Sequence, residues 1–132
     1  MEVNLQDGLL VFELEHCTGP ELGTYLRKYG CLEEKEAKLI MRQLFSALHY
    51  LFKLEEKVIH YDLKPSNVMF DEGVVKMLDF GLSKVMKGDE TRMDLTSQGT
   101  GTYWYLPPET FEEYNPQVSP KVDVWSLGVI FF

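Results

Sequence analysis

The sequence predicts an α+β fold, and three stretches carry that expectation. From residue 33 to about 54, Ala37, Ile40, Met41, Leu44, Phe45, Leu48, Leu51 and Phe52 recur at helical spacing, a stripe wide enough for a core-facing helix. Val68-Met69-Phe70 and the apolar-rich residues 74–78 flank Asp71-Glu72-Gly73, which predicts a β-hairpin. Residues 121–132 are apolar almost all round, as in a helix at the middle of a domain.

The remaining elements follow in order. Leu9-Leu10-Val11-Phe12 with Leu14, after the Asp7-Gly8 turn signal, reads as a buried strand. Leu22, Tyr25, Leu26 and Tyr29 are spaced as a helix beginning near Pro20, with Thr18 or Gly19 near its cap and Gly30 at its stop. Glu33, Glu34 and Glu36 crowd the positive end of the long helix, which has no Ser, Thr, Asp or Asn cap. Val58-Ile59 reads as a short strand. Residues 83–100 are polar and aperiodic, hence a surface loop, and Pro107-Pro108 bars a regular helix over 103–109.

A chain of 132 residues with 45% hydrophobic content holds one ordinary domain with a core. Its net charge of −8, with no basic run, argues against direct nucleic-acid binding, which needs clustered cations. No membrane span is expected, since the apolar run from Val122 is short and carries Asp123. Cys17 and Cys31 form no C-x-x-C pair, and no signal peptide is visible after Met1. These features point to an intracellular setting.

The chemistry concentrates in His60-Tyr61-Asp62-Leu63-Lys64-Pro65-Ser66-Asn67, followed after the hairpin by Asp79-Phe80-Gly81. Phosphoryl transfer needs such a set. A carboxylate orients the attacking hydroxyl and takes its proton, a cation offsets phosphoryl charge, and oxygen ligands hold Mg²⁺. The hairpin returns the chain to where it left, so Asn67 and Asp79 can face one metal. Pro108-Glu109 and Asp123-x-Trp125-Ser126-x-Gly128 complete four motifs in order.

That order resembles the eukaryotic protein kinases, with catalytic loop 60–67, metal motif 79–81 and activation segment 79–109. Within them the chain is identified as a member of the tousled-like Ser/Thr family. The match rests on Ile59-His60-Tyr61-Asp62-Leu63-Lys64-Pro65, Asp79-Phe80-Gly81-Leu82-Ser83-Lys84, Leu95-Thr96-Ser97-Gln98-Gly99 and Gly101-Thr102-Tyr103-Trp104-Tyr105-Leu106-Pro107-Pro108-Glu109. The resemblance implies a part of the bilobal kinase fold, the hinge plus the N-terminal half of the mainly helical large lobe. It implies ATP and Mg²⁺ as cofactors, a protein Ser or Thr as acceptor, and, by family, histone chaperones as substrates and the nucleus as setting.

By the same resemblance Asp62 is the base, Lys64 neutralises charge at the γ-phosphate, and Asn67 and Asp79 hold Mg²⁺. Thr102 bonds the catalytic loop, and Asp123 anchors its backbone. Leu14 takes the gatekeeper position, Glu15 and Cys17 offer hinge backbone to adenine, Glu21 matches a ribose or substrate contact, and Met69 packs under adenine. Glu15 and Glu21 read equally as solvated charges near a helix start. Asp123 reads also as a helix N-terminal charge, and His60 and Phe80 as packing residues.

The chain departs from the family pattern in places. No Gly-x-Gly-x-x-Gly loop, strand Lys or helix C glutamate is found, and the end of the large lobe is missing. The 1–132 stretch is thus expected to be a partial kinase domain, the alternative being a truncated, inactive kinase-like binding module. Tyr61, shared with the tousled-like pattern, stands where eukaryotic protein kinases usually have an Arg that pairs with a phosphorylated activation loop, and a phenol makes no bidentate contact with phosphate. Activity is therefore expected not to require phosphate on Thr91, Thr96, Ser97 or Thr100 through that pocket.

Overall fold

The computed structural model describes residues 2–6, 8–95 and 100–132. Strands β1 (Glu2–Gln6) and β2 (Leu9–Glu13) pair antiparallel from Gln6↔Leu9 outward. The expected strand is present, but it is not buried. Leu9 is 69% and Phe12 55% exposed, because β1 is the only strand that covers an edge of β2 among the described residues and neither face is covered. The strand β1 itself was not expected from the sequence.

Helix α1 (Leu22–Tyr29) ends at Gly30, whose φ of 85° closes the turn with a 2.8 Å bond from its N–H to Leu26 O. Its N-cap is Glu21 rather than Thr18 or Gly19. Thr18 is engaged elsewhere: its N–H and hydroxyl both donate to Asp71 Oδ1 at 3.1 Å. Helix α2 (Glu34–Lys53) turns Ile40, Leu44 and Leu48 inward, and its cap residue Glu33 makes no side-chain cap bond.

Strand β3 (Lys57–Ile59) leads into the 60–67 stretch, and β4 (Val68–Asp71) with β5 (Val74–Met77) forms the expected hairpin. Glu72 (φ 49°) and Gly73 (φ 84°) both occupy the left-handed region, the geometry of a tight two-residue hairpin loop. The expected surface loop over 83–100 is corrected by two short strands. β6 (Lys84–Met86) pairs with β3, and β7 (Met93–Asp94) with β8 (Gln117–Val118). They bury Met86 and Leu95, two apolar side chains too isolated among polar neighbours to register as periodic.

Helix α3 (Lys121–Phe131) begins after Pro120, and residues 103–111 form only short 3₁₀ turns, as the prolines require. Val122 and Leu127 are buried, whereas Val124, Trp125, Val129 and Phe131 are exposed, so the helix is half-covered rather than central. Two apolar clusters result. One joins α1, α2 and α3 through Leu22, Leu44, Leu48, Leu63, Val68 and Leu127. The other joins Ile59, Tyr61, Met86, Leu95, Leu106, Val118 and Val122. The 60–67 stretch lies between them, with Leu63 in the first and Tyr61 in the second.

Candidate active site

Position 62 is set by backbone on both sides. Asp123, reaching back from the first turn of α3, accepts the N–H of His60 (2.8 Å) on Oδ2 and that of Tyr61 (2.9 Å) on Oδ1. Burial pushes its carboxyl up from the usual value, while these N–H bonds pull against that rise. The His60 ring is fixed as well. Nε2 lies 2.9 Å from Leu78 O, which only accepts, so Nε2 carries the proton and Nδ1 is left to accept Asp62 N–H at 3.4 Å. The ring stacks against Phe80 at 4.7 Å. His60 and Phe80 therefore pack, and His60 also ties the 60–67 stretch to the end of the hairpin.

The Asp62 carboxylate is only 7% exposed, and both its oxygens are engaged. Thr102 Oγ1 donates to Oδ1 at 2.7 Å, and Lys64 Nζ donates to Oδ2 at 2.8 Å. Lys64 Nζ also lies 3.0 Å from Thr102 Oγ1, which closes a triangle of carboxylate, ammonium and hydroxyl. Burial works to raise the Asp62 pKa, but the Lys64 and Thr102 bonds with the Lys64 charge outweigh it and leave the value lowered. Thr102 is thus brought to Asp62 and Lys64 from 40 and 38 residues away in the chain.

Asn67 is buried and turns Nδ2 to Asp62 O (2.8 Å) and, more weakly, Oδ2 (3.3 Å). That leaves its carboxamide oxygen as the atom a hard cation would take. Leu78 N–H donates to Asn67 O at 2.9 Å, continuing the β4–β5 ladder by one more pair. Asp79 thus emerges beside Asn67, at φ 62°, exposed, with Oδ1 accepting Gly81 N–H at 3.2 Å. One carboxamide oxygen and one carboxylate suit Mg²⁺, which takes few protein ligands and fills its octahedron with phosphate oxygens and water. Among the described residues no group of three or more His, Cys, Asp or Glu forms an all-protein metal cage.

Of the residues expected at the adenine end, Glu15, Glu21 and Met69 gather around the hairpin. Glu21 bridges Met69 by backbone pairing, Met69 faces Lys76 across the ladder, and Lys76 Nζ reaches Glu15 Oε1 at 2.9 Å. Glu15 is therefore an ion-paired surface group rather than a freely solvated one. Gly19 is held against β4, where a Cβ would collide with Phe70 O, and Phe70 N–H donates to Pro20 O at 3.0 Å. Leu14 is exposed and Cys17 partly buried on this linker. A cavity of about 780 Å³ lies elsewhere, between Phe45, His49 and Phe52 of α2, Met86 and Pro120, and holds none of the expected site residues.

Sequence reasoning missed Asp71, Lys76 and Lys84. Asp71 and Lys76 fasten the linker to the hairpin, and Lys84 Nζ sits 4.6 Å from the centre of the Tyr61 ring. Nothing in their spacing distinguishes them from surface charges. Thr96 and Ser97, two of the candidate loop phosphosites, lie outside the described residues. Among the described residues no helix is long and apolar enough to cross a membrane.

The family model of the protein kinase domain matches residues 1–132. The chain is similar to the Ser/Thr-protein kinase TOUSLED of Arabidopsis thaliana, at 54% identity over 123 residues, covering 90% of the chain and 18% of that protein. It is similar to the human tousled-like kinase 1 at 51% over 128 residues, covering 90% of the chain and 17% of that protein. The worm tousled-like kinase 1 of Caenorhabditis elegans is 48% identical over 127 residues, 90% of the chain and 13% of that protein. The chain thus spans less than a fifth of the length of these relatives.

Proposed function

We propose, for a chain that belongs to the protein kinase domain family, that it carries the phosphoryl-transfer centre of a tousled-like Ser/Thr protein kinase. The single observation that carries this reading is the Asp62 carboxylate, bonded at 2.7 Å by Thr102 and 2.8 Å by Lys64. In the reaction the substrate hydroxyl oxygen forms a bond to the γ-phosphorus of ATP as the β–γ bridging bond breaks. The hydroxyl proton passes to Asp62, which its bonded neighbours keep ionised and aimed. Lys64, bonded to that carboxylate in the free protein, swings its charge toward the phosphoryl as substrate enters. Thr102 holds Asp62 while Lys64 moves.

Asn67 and Asp79 would hold Mg²⁺, which, when bound, offsets the negative charge of the triphosphate. Residues 14–17, with Glu21 and Met69, would receive the adenosine end, fastened as they are to the hairpin that also carries the metal motif. The relatives are named as Ser/Thr kinases, which favours an enzyme over a binding-only module. The same resemblance points to the nucleus and to histone chaperones as substrates.

The test uses a domain completed with the flanking residues of the Arabidopsis relative. Transfer from Mg²⁺-ATP should yield phosphoserine or phosphothreonine and no phosphotyrosine. Asp79→Asn should raise the Mg²⁺-ATP concentration for half-maximal rate by about tenfold or more, since a charged metal ligand is lost. An unchanged requirement would contradict the metal assignment.

A further inference from the structure

We propose that Lys84 is a positioning residue for the catalytic loop: its ammonium, seated over the Tyr61 ring, holds Tyr61 in the left-handed backbone conformation that aims Asp62. The functional weight of this inference rests on the reading of Asp62 as the base. Tyr61 has φ 69° and is 1% exposed. A bulky side chain in that region is disfavoured and persists only where its surroundings enforce it.

Three contacts provide that enforcement. Asp123 Oδ1 accepts Tyr61 N–H at 2.9 Å. Gly101, itself at φ 90°, lies so close to Tyr61 O that a Cβ would stand 3.2 Å from it. Both of these grip the backbone. On the side chain, the apolar residues of the second cluster enclose the ring, and Lys84 Nζ, 4.6 Å from its centroid, adds the one cation found against its face among the described residues.

Lys84 is placed to do this by register rather than by chance. It pairs with Ile59 in the β3–β6 ladder, two residues before Tyr61. Burial pushes its ammonium below the usual pKa, so the cation is partly stripped of water, and a desolvated cation binds an aromatic face more strongly. The ring contact is one of several that Lys84 makes. Because Asp62 follows Tyr61 directly, any relaxation of the Tyr61 backbone swings the Asp62 carboxylate away from Thr102 and Lys64. A residue just beyond the metal motif thereby reports on, and stabilises, the arrangement of the base.

The experiment is lysine acylation of the 132-residue chain, read residue by residue by mass spectrometry. Lys64, bound to Asp62 and with its side chain 27% exposed, should react more slowly than Lys38 at 63%. Lys84→Met should raise the Lys64 rate about tenfold, and Tyr61→Leu should do the same. Lys84→Arg and Tyr61→Phe, which keep cation and ring, should leave it unchanged. Lys57, on the neighbouring strand and bonded to Glu90 O at 3.0 Å, is the control and should not change. Lys64 still protected in Lys84→Met would overturn the inference. So would Lys57 rising in step with Lys64 in both Lys84→Met and Tyr61→Leu, which would mean general loosening. Turnover is not measured, so failure of the phosphoryl-transfer reading would leave this result standing.

Discussion

Asp62 and Asp123 are two buried carboxylates whose environments push them in opposite directions, and this sets what each does at neutral pH. Asp62 has a folded pKa lowered beneath its ordinary value of about 3.9, so it gives stability that is present above that pH and lost as pH falls through the folded value. Its carboxyl carbon, followed by NMR, should therefore titrate below the range of an ordinary aspartate; a midpoint above that range would contradict the environment described. Asp123 is raised by burial, so ionising it costs stability as pH rises, a cost that the N–H groups of Tyr61 and His60 offset. Asp123→Ala should strand both buried donors and lower stability by about 2–4 kcal/mol in denaturant unfolding, with Asp123→Asn costing less because one acceptor remains. Equal losses for the two variants would count against the anchoring role. Asp62, Lys64, Asn67 and Asp79 stood out in the sequence because phosphoryl transfer needs those residue types close together, whereas Thr102 stood out only through the family resemblance around Gly101. Lys84 did not, because its contact depends on a three-residue strand pairing that no local pattern announces.

At the scale of elements, amphipathic stripes and turn chemistry made α2 and the β4–β5 hairpin legible, since each carries its own signal over consecutive residues. The burial of β2 was misjudged for a physical reason. An apolar run reports what a strand would gain by burial, and only its neighbours determine whether it is covered. Strands β3, β6, β7 and β8 are two or three residues long and exist through their pairing, so periodicity had too few positions to act on. The linker over 14–20 is the element most open to test. Gly19 packs its backbone on Phe70 O, with Thr18 bonded to Asp71 on one side and Pro20 O to Phe70 N–H on the other. Gly19→Ala should force the linker off β4 and cost about 1–3 kcal/mol. In the completed domain it should also raise KM for ATP more than it lowers kcat, because the adenosine end moves and Asp62 does not. A kcat loss with KM unchanged would mean that the linker has no part in binding nucleotide.

At the scale of the whole molecule, apolar side chains among the described residues face water on the first hairpin (Leu5, Leu9, Leu10 and Phe12) and at the end of the chain (Trp125, Val129, Phe131 and Phe132). Contiguous apolar surface of this kind drives association, and a net charge of −8 opposes but does not cover it. Residues 1–132 alone should sediment as more than a monomer at about 10 μM, and replacing Phe131 and Phe132 with Ser should shift the distribution toward monomer. A monomer in both cases would show that these faces are not adhesive. The proposed phosphoryl-transfer centre is tested most directly by one rate. In the completed domain, the first-turnover rate of phosphate transfer to a Ser/Thr peptide, measured by rapid quench at saturating Mg²⁺-ATP, should fall by about 10²–10⁴-fold in Asp62→Asn while ATP affinity stays near that of the parent domain. A first turnover at the parent rate would contradict the placement of Asp62 at the chemical step.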